Sequence, residues 1–391
     1  MSTVAASPSG GWNRFWFTPA DPSTLGLIRI LTGLAVLFIH IGYSFDLQAF
    51  FGKDAWLNLD LANEYRRELP IVPPPTEWEH RLPSAAGEDP QKAAQVTQHV
   101  QRWGVHPDLA HSHGTPSWSI WYHVTDPTAM AWLHGAILVV MALYTVGFCT
   151  RVTSVLAWLA AMQYVHRGLT TLFGMDQMMI LLLMYLMLAP SGAAFSVDRW
   201  LLRRGWSWGW LFGQQASALP DQPEPSVAAN VALRLMQVHM CFIYMAAGLS
   251  KLLGSSWWNG TALWWAVANY DFTPLRYGWY ADSVRWLSKH RLFWELFMSG
   301  GVVFTLVFQI SFPFLVWNPK RRWILVAGSV LLHTMISVIM GLLGFGLCMI
   351  ALALSFVPPE VVRDWAAGLL EPRKKPAVVP PTAEPALMQA A

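Results

Sequence analysis

The residues best suited to chemistry lie in apolar surroundings. Between Ala228 and Leu253 the chain carries Arg234, Gln237, Cys241, Tyr244, Gly248 and Lys251. At 100° per residue these six fall within a helical stripe about 100° wide. A lipid-facing stripe would be uniformly apolar, so this one is expected to face a bundle interior or a wet cavity. Lys251 has two readings there. It is a snorkelling lysine that reaches the interface along its own stem, or an amine whose desolvation makes it a usable base. His333, in the middle of a later apolar segment, is a hydrogen-bonded core residue, a proton relay or a ligand. Arg29 lies about one and a half turns into the first apolar segment, placed to pair with a carbonyl or carboxylate. Asp176 stands between two apolar segments. It pairs with Arg167, caps the helix that follows, or serves as a functional carboxylate. An ionisable group inside a membrane costs about 2.5 kcal/mol or more at a helix centre, so each of these needs a reason.

The elements that must position these residues are apolar helices. Hydrophobic residues make up 54% of the 391 positions and charged residues 13%, against roughly 25% charged in soluble proteins. The apolar residues fall into eight segments, 23–44, 128–148, 152–172, 175–190, 228–252, 295–317, 323–343 and 345–358. Most have the length that crosses a hydrocarbon core about 30 Å thick, and backbone in lipid must satisfy its own polar groups, so they read as helices. The expectation is an all-α, polytopic transmembrane helix bundle with about eight spans (seven to nine) in the lipid bilayer. The 35 residues from Trp323 to Val357 are too long for one span. Gly341, Gly344 and Gly346 offer a break, and the final piece is short enough to be re-entrant. Many of the 23 tryptophans sit at segment edges (Trp12, Trp16, Trp200, Trp206, Trp208, Trp210, Trp257, Trp258, Trp317, Trp323), where amphipathic rings collect at the interface.

Orientation follows from Lys and Arg in short connections. With a cytoplasmic N-terminus, Arg14, Arg151, Arg199, Arg203, Arg204, Lys320, Arg321 and Arg322 all fall inside. This predicts a multi-pass protein of the cell membrane, divided into an N-terminal cytoplasmic segment 1–17, a membrane domain 18–358 and a Pro-rich cytoplasmic tail 359–391. The longest connections, 46–127 and 254–294, then lie outside. In the first, residues Pro73 to Pro90 read as irregular and Gln91 to Trp103 as a polar surface helix, while the end from Glu371 onward reads as extended. The first 22 residues are polar and rich in Pro and Gly, unlike a cleaved signal peptide.

Other classes find little footing. A net charge of +3 without a long basic run gives no reason to expect nucleic acid. Cys149, Cys241 and Cys348 are scattered and imply neither a disulfide framework nor a zinc site. His111-x-His113 reads as surface loop, no metal is predicted, and nothing in the spacing of His40, His134, His166 and His239 selects a ligand pair. A transporter should show paired interrupted helices and repeat symmetry, neither of which is found.

Taken together, several short motifs resemble the HTTM family (horizontally transferred transmembrane domain), which includes the membrane portion of vitamin K-dependent gamma-glutamyl carboxylases. They are Asp21-Pro22-Ser23-Thr24-Leu25-Gly26-Leu27-Ile28-Arg29, Gly147-Phe148-Cys149-Thr150-Arg151 and Ala194-Phe195-Ser196-Val197-Asp198. The longest is Tyr244-Met245-Ala246-Ala247-Gly248-Leu249-Ser250-Lys251, followed by Trp257-Trp258-Asn259-Gly260; His333 with Gly344-Phe345 fits a late histidine-containing span. The resemblance covers roughly residues 18 to 358. It implies a carboxylase-like enzyme with a reduced, vitamin K-like quinone as cofactor and a secreted peptide or protein as substrate. Lys251 is then the base that deprotonates the quinol, leading through oxygen attack to an alkoxide strong enough to take a glutamate γ-proton. Tyr244 and His333 stand beside it, and Arg29, Arg234, Gln237 and Asp176 are candidates for holding the cofactor. Two features depart from the carboxylases. Met175-Asp176 stands where their Asn-His pair is placed, and no large extramembrane domain follows the spans. The alternative is a non-catalytic membrane accessory for export or maturation of a secreted peptide or protein.

Overall fold

A computed structural model describes residues 10–68, 117–169, 171–206, 222–271 and 273–370, with six single positions between 91 and 101. The Pro73–Pro90 stretch, most of the 91–103 segment, His111, His113, Trp208, Trp210 and the end from Glu371 lie outside the described residues.

All eight apolar segments are helical, and no strand occurs among the described residues. After a short α1 (Gly11–Phe17) come α2 (Ser23–Ser44), α3 (Pro127–Val146), α4 (Thr150–Arg167), α5 (Gly174–Leu188) and α6 (Val197–Arg203). The second part holds α7 (Val227–Lys251), α8 (Arg291–Leu315), α9 (Pro319–Ile339), α10 (Leu343–Ala353) and α11 (Pro359–Leu370). A π turn, Leu296–Gly300, interrupts α8.

The expected count of about eight spans is not confirmed. Five helices (α2, α3, α7, α8 and α9) are long and apolar enough to cross a membrane, and a sixth span is possible if the bent pair Leu343–Phe356 and Pro359–Gly368 counts as one. The reasons are local. Helix α4 carries Arg151, Gln163, His166 and Arg167 and lacks the required apolarity. Helix α5 has 15 residues, about 22 Å at 1.5 Å per residue, short of the hydrocarbon thickness. The chain bends by 110° after Phe356. The break between α9 and α10 falls at Gly341, which takes φ +68°, a left-handed conformation that glycine adopts without steric cost.

Helix α10 is the central wedge. It packs against α9, α2, α5 and α7, joining an α2–α5 group to an α7–α9 group. Gly344 and Gly346 lie within it rather than breaking it. A Cβ on Gly344 would meet the Met175 sulfur at 2.5 Å, and one on Gly346 would meet the His333 carbonyl at 2.7 Å. Small residues thus let the wedge approach its neighbours closely.

Outward surfaces are strongly apolar. Phe38, Trp132, Val139, Phe242, Val303, Val307, Phe314, Ile324 and Leu331 are exposed along the long helices. Apolar surface on this scale is not left to water in a soluble monomer. With the helix lengths, it is compatible with a multi-pass protein in a lipid bilayer.

The connections are structured where described. Residues 46–127 hold helices Leu47–Phe51 and Leu59–Glu68, and residues 254–294 hold Ser255–Trp258, Ala262–Val267 and Gly278–Lys289. The beginning of the expected tail is helix α11, whose Arg363 forms an ion pair with the buried Asp21 carboxylate. The bridge between Ala20 and Ser226 places the starts of α2 and α7 together. Their other ends, Ser44 and Lys251, therefore share the opposite end of the bundle.

Candidate functional site

The polar residues singled out by sequence divide between the two ends. At the end where α2 and α7 begin, Arg29 is fully buried and donates from Nη1 to the carbonyls of Ser191 (2.6 Å) and Ala194 (3.2 Å), and from Nη2 to that of Phe195 (2.6 Å). Asp198 accepts from the backbone N–H groups of Cys149 and Thr150 and from the Thr150 hydroxyl, each at 2.7 Å, so it caps the start of α4. Gly147, at φ +74°, is pressed against the Arg29 guanidinium; a Cβ there would lie 2.8 Å from its Cζ. Three motifs, at residues 21–29, 147–151 and 194–198, thus meet in one joint. It holds the loop before α6 onto α2 and the start of α4.

Arg234 and Gln237 form a second joint at the same end. Arg234 donates to the Phe15 carbonyl (3.2 Å) and to Gln237 Oε1 (2.8 Å), and its guanidinium lies 4.5 Å from the Phe15 ring centroid. Gln237 donates to the Ser355 carbonyl at 2.7 Å, and Asn230 donates to the carbonyls of Phe15 and Trp16, both at 2.8 Å. These bonds fasten α1 and the end of the α10 segment to α7.

The opposite end holds Lys251, Tyr244 and His333. Tyr244 and His333 are brought together: the buried phenol oxygen lies 2.9 Å from His333 Nε2 and 2.7 Å from Ser329 Oγ. Phe308 and Phe312 pack on the tyrosine ring, and Phe345 meets the histidine ring edge-on. Within this apolar setting His333 Nδ1 and Gln309 Oε1 are buried without a hydrogen-bond partner. Ser329 was not singled out by sequence. Its spacing of four residues before His333 places both on one face of α9, and that was the available signal.

Lys251 stands two helical turns beyond Tyr244. It is half-buried, donates to the Ala247 carbonyl of its own helix at 3.2 Å, and lies 5.3 Å from the Trp257 ring centroid. No ion pair to a carboxylate forms among the described residues. Gly248, on the stripe between them, sits against Ile310 and Gln309 of α8.

Of the four residues expected to hold a cofactor, Arg29, Arg234 and Gln237 lie at the other end of the bundle from Lys251. Asp176 shares the Lys251 end but lines a cavity that includes none of Lys251, Tyr244 and His333. Its Oδ2 accepts from the Phe173 N–H at 3.0 Å, so of the readings open for it the helix cap is the one formed. Arg167 bonds instead to the carbonyls of Gly52 (3.0 Å) and Leu57 (2.8 Å). The membrane histidines also find organic partners. His134 bonds the Tyr164 hydroxyl through Nδ1 (2.7 Å) and Ser44 through Nε2 (2.8 Å), and His239 bonds Tyr185 (2.8 Å). Among the described residues no group of three or more His, Cys, Asp or Glu is placed to hold a metal ion.

Comparisons with protein-family models, curated proteins and solved structures give no match to this chain.

Proposed function

We propose that this multi-pass protein acts as an HTTM-type enzyme that takes a proton from a reduced quinone at Lys251. A reduced quinone would supply an acidic hydroxyl and reducing electrons from the lipid phase. The observation that carries the reading is the unsaturated polar group set at one end of an otherwise apolar bundle. Lys251 has only a carbonyl of its own helix and an aromatic face, and the Ser329–Tyr244–His333 chain ends on a free Nδ1. As a free amine, Lys251 accepts the proton. The Tyr244 hydroxyl donates to one neighbour while accepting from the other, so Ser329, Tyr244 and His333 can pass or hold a proton beside the lysine. With a cytoplasmic N-terminus, this end faces outward, where a secreted peptide or protein arrives.

The test is oxygen-dependent quinol epoxidation in proteoliposomes, comparing wild type with Lys251→Ala across several quinols. Turnover in wild type that falls by two orders of magnitude or more in the variant is expected, from the usual contribution of a general base. Absence of lysine-dependent turnover with every quinol overturns the reading.

One observation favours the second reading, a non-catalytic accessory for export or maturation of a secreted partner. The Lys251 amine folds back on its own helix beside Trp257, and exposed Trp258 follows, as in a lysine anchored at the interface. Under that reading, Lys251→Ala leaves secretion of the partner unchanged.

A further inference from the structure

The connection 254–294, at the Lys251 end, is clamped onto the ends of three long helices. Trp258 Nε1 donates to the Leu252 carbonyl, just past α7, at 2.7 Å. Helix Ala262–Val267 packs on the early part of α8. The Trp264 and Trp294 ring centroids are 4.9 Å apart, and a Cβ on Gly301 would collide with Leu263. The Tyr280 hydroxyl donates to the Val267 carbonyl at 2.9 Å and lies 3.5 Å from that of Ile339, the last residue of α9. These contacts fix the depth of the connection against the long helices.

That depth lies below the polar boundary of α8. Arg291 and Glu295 form an exposed ion pair at its start, and such charges belong in water or among headgroups. Gly301 comes six residues after Glu295, about 9 Å further along the axis. Leu263 therefore reaches well into a helix that is long and apolar enough to span. The neighbouring side chains fit that depth. Trp265 and Trp279 are 67% and 62% exposed, Trp286 is exposed too, and α8 extends the surface with exposed Leu296, Val303 and Val307. Helix Gly278–Lys289 divides its perimeter three ways at 100° per residue. Buried Tyr280 and half-buried Val284 and Leu287 share the side toward the protein. Exposed Asp282, Arg285 and Lys289 share a side nearly opposite. Trp279 and Trp286, seven residues apart, lie about 20° from each other on a third side.

We infer that the connection 254–294 is a membrane-binding element, with Trp265, Trp279 and Trp286 seated in the headgroup–acyl boundary of a phospholipid bilayer and not in the water above it. Indole rings, apolar with one N–H donor, collect in that layer. Amphipathic helices lie about 5–10 Å into it, which matches the depth that Leu263 reaches at Gly301. The three sides of helix Gly278–Lys289 then meet protein, lipid and water. Lipid fits this surface better than a second copy of the chain, because the aromatic patch runs without a break onto the exposed apolar row of α8. The inference is independent of what Lys251 does and of any quinone.

The test is photo-crosslinking of the full-length protein in phosphatidylcholine proteoliposomes, with p-benzoylphenylalanine replacing Trp265, Trp279, Asp282 or Arg285 one at a time. Phospholipid adducts on the chain are measured by mass spectrometry after irradiation. Adducts at 265 and 279 should exceed those at 282 and 285 by roughly tenfold, following the lipid and water sides of the helix. A second measurement avoids the bulky photoprobe. In proteoliposomes of phosphatidylcholine brominated high on the acyl chain, Trp265→Phe combined with Trp279→Phe should reduce the tryptophan fluorescence that the lipid quenches. Equal adduct yields at the four positions, cross-links between two chains in place of lipid adducts, or lipid quenching unchanged in the double variant would each overturn the assignment.

Discussion

The two ends of the bundle use the same residue types to opposite effect. At the N-terminal end, Arg29, Arg234, Gln237, Asn230 and Asp198 direct their side chains to backbone groups of other segments, and the bonds link elements far apart in sequence. At the Lys251 end, a lysine, two arginine nitrogens, two histidine nitrogens and a glutamine oxygen are held in apolar surroundings without full partners, against single nitrogens of Arg29 and Arg322 at the first end. Charge engaged by fixed carbonyls makes a joint. Charge left partly unmatched creates affinity for something else, because burying an unpaired group costs more than burying a matched one. Burial alone therefore does not mark a site; the state of the partners does.

The sharpest way to break this comparison is at Arg29. Arg29→Ala leaves the Ser191, Ala194 and Phe195 carbonyls without their donor and a cavity beneath Gly147. Removing one side of a buried charged contact costs about 3–5 kcal/mol, a large share of a domain's total stability. Folded, monodisperse protein recovered from detergent should fall to near nothing on fluorescence-detected size exclusion. Arg29→Lys should not rescue it, since one ammonium cannot reproduce the guanidinium fork. A variant that retains near-normal yield and melting temperature would show that the joint is not structural.

A smaller effect is expected within the Lys251 end itself. Tyr244→Phe keeps the ring against Phe308 and Phe312 but removes the oxygen shared by Ser329 and His333. Leaving those two buried groups without a partner costs about 1–3 kcal/mol. Ser329→Ala alone should cost less, because Tyr244 keeps His333. A double-mutant cycle measured by thermal unfolding should then give a coupling between positions 244 and 329 above 0.5 kcal/mol, roughly the threshold for residues in direct contact. Strict additivity would mean the hydrogen bond does not form in the membrane.

Hydropathy made the helices legible, but it did not fix the span count. Every apolar segment is a helix, because apolar run length is a local property. Whether a helix spans depends on what covers it, which is not local. Helix α10 reads as a short membrane piece but is the bundle's most enclosed element, with Gly344, Gly346, Cys348, Met349, Ala351, Leu352 and Ala353 all buried. The candidate site was legible to the same degree. The α7 stripe correctly placed Tyr244 inward, yet a stripe cannot say which end of the bundle each member serves. Arg234 and Gln237 share a face with Lys251 and sit 17 and 14 residues before it, about 25 and 21 Å away along the axis. Only the packing shows that they close one end while Lys251 stands at the other. A cavity of about 290 Å³ between the end of α2 and the start of α5 was less visible still, because its walls come from α2, α4, the start of α5 and the connection after α2.

The smallest structural effect belongs to the residue with the largest expected functional one. Lys251 is half-buried, with one weak bond to Ala247 and a cation–π contact to Trp257 at 5.3 Å. Exposed contacts of this kind are worth about 0.5–1 kcal/mol. Removing the ammonium also removes a half-buried charge that has no carboxylate partner among the described residues, which offsets part of that loss. Lys251→Ala should therefore leave yield and melting temperature within about 0.5 kcal/mol of wild type, the range of substitutions away from structural features. The two readings of the lysine part at the next measurement. A base supplies something alanine cannot, so a well-folded variant must lose quinol turnover, and Lys251→Arg, which keeps the charge but cannot become neutral, must lose it too. An interfacial anchor supplies only a charge at the right depth, so arginine substitutes for it. Stability equal in all three proteins with function retained by Lys251→Arg would assign the residue to anchoring; equal stability with function lost in both variants would assign it to proton transfer.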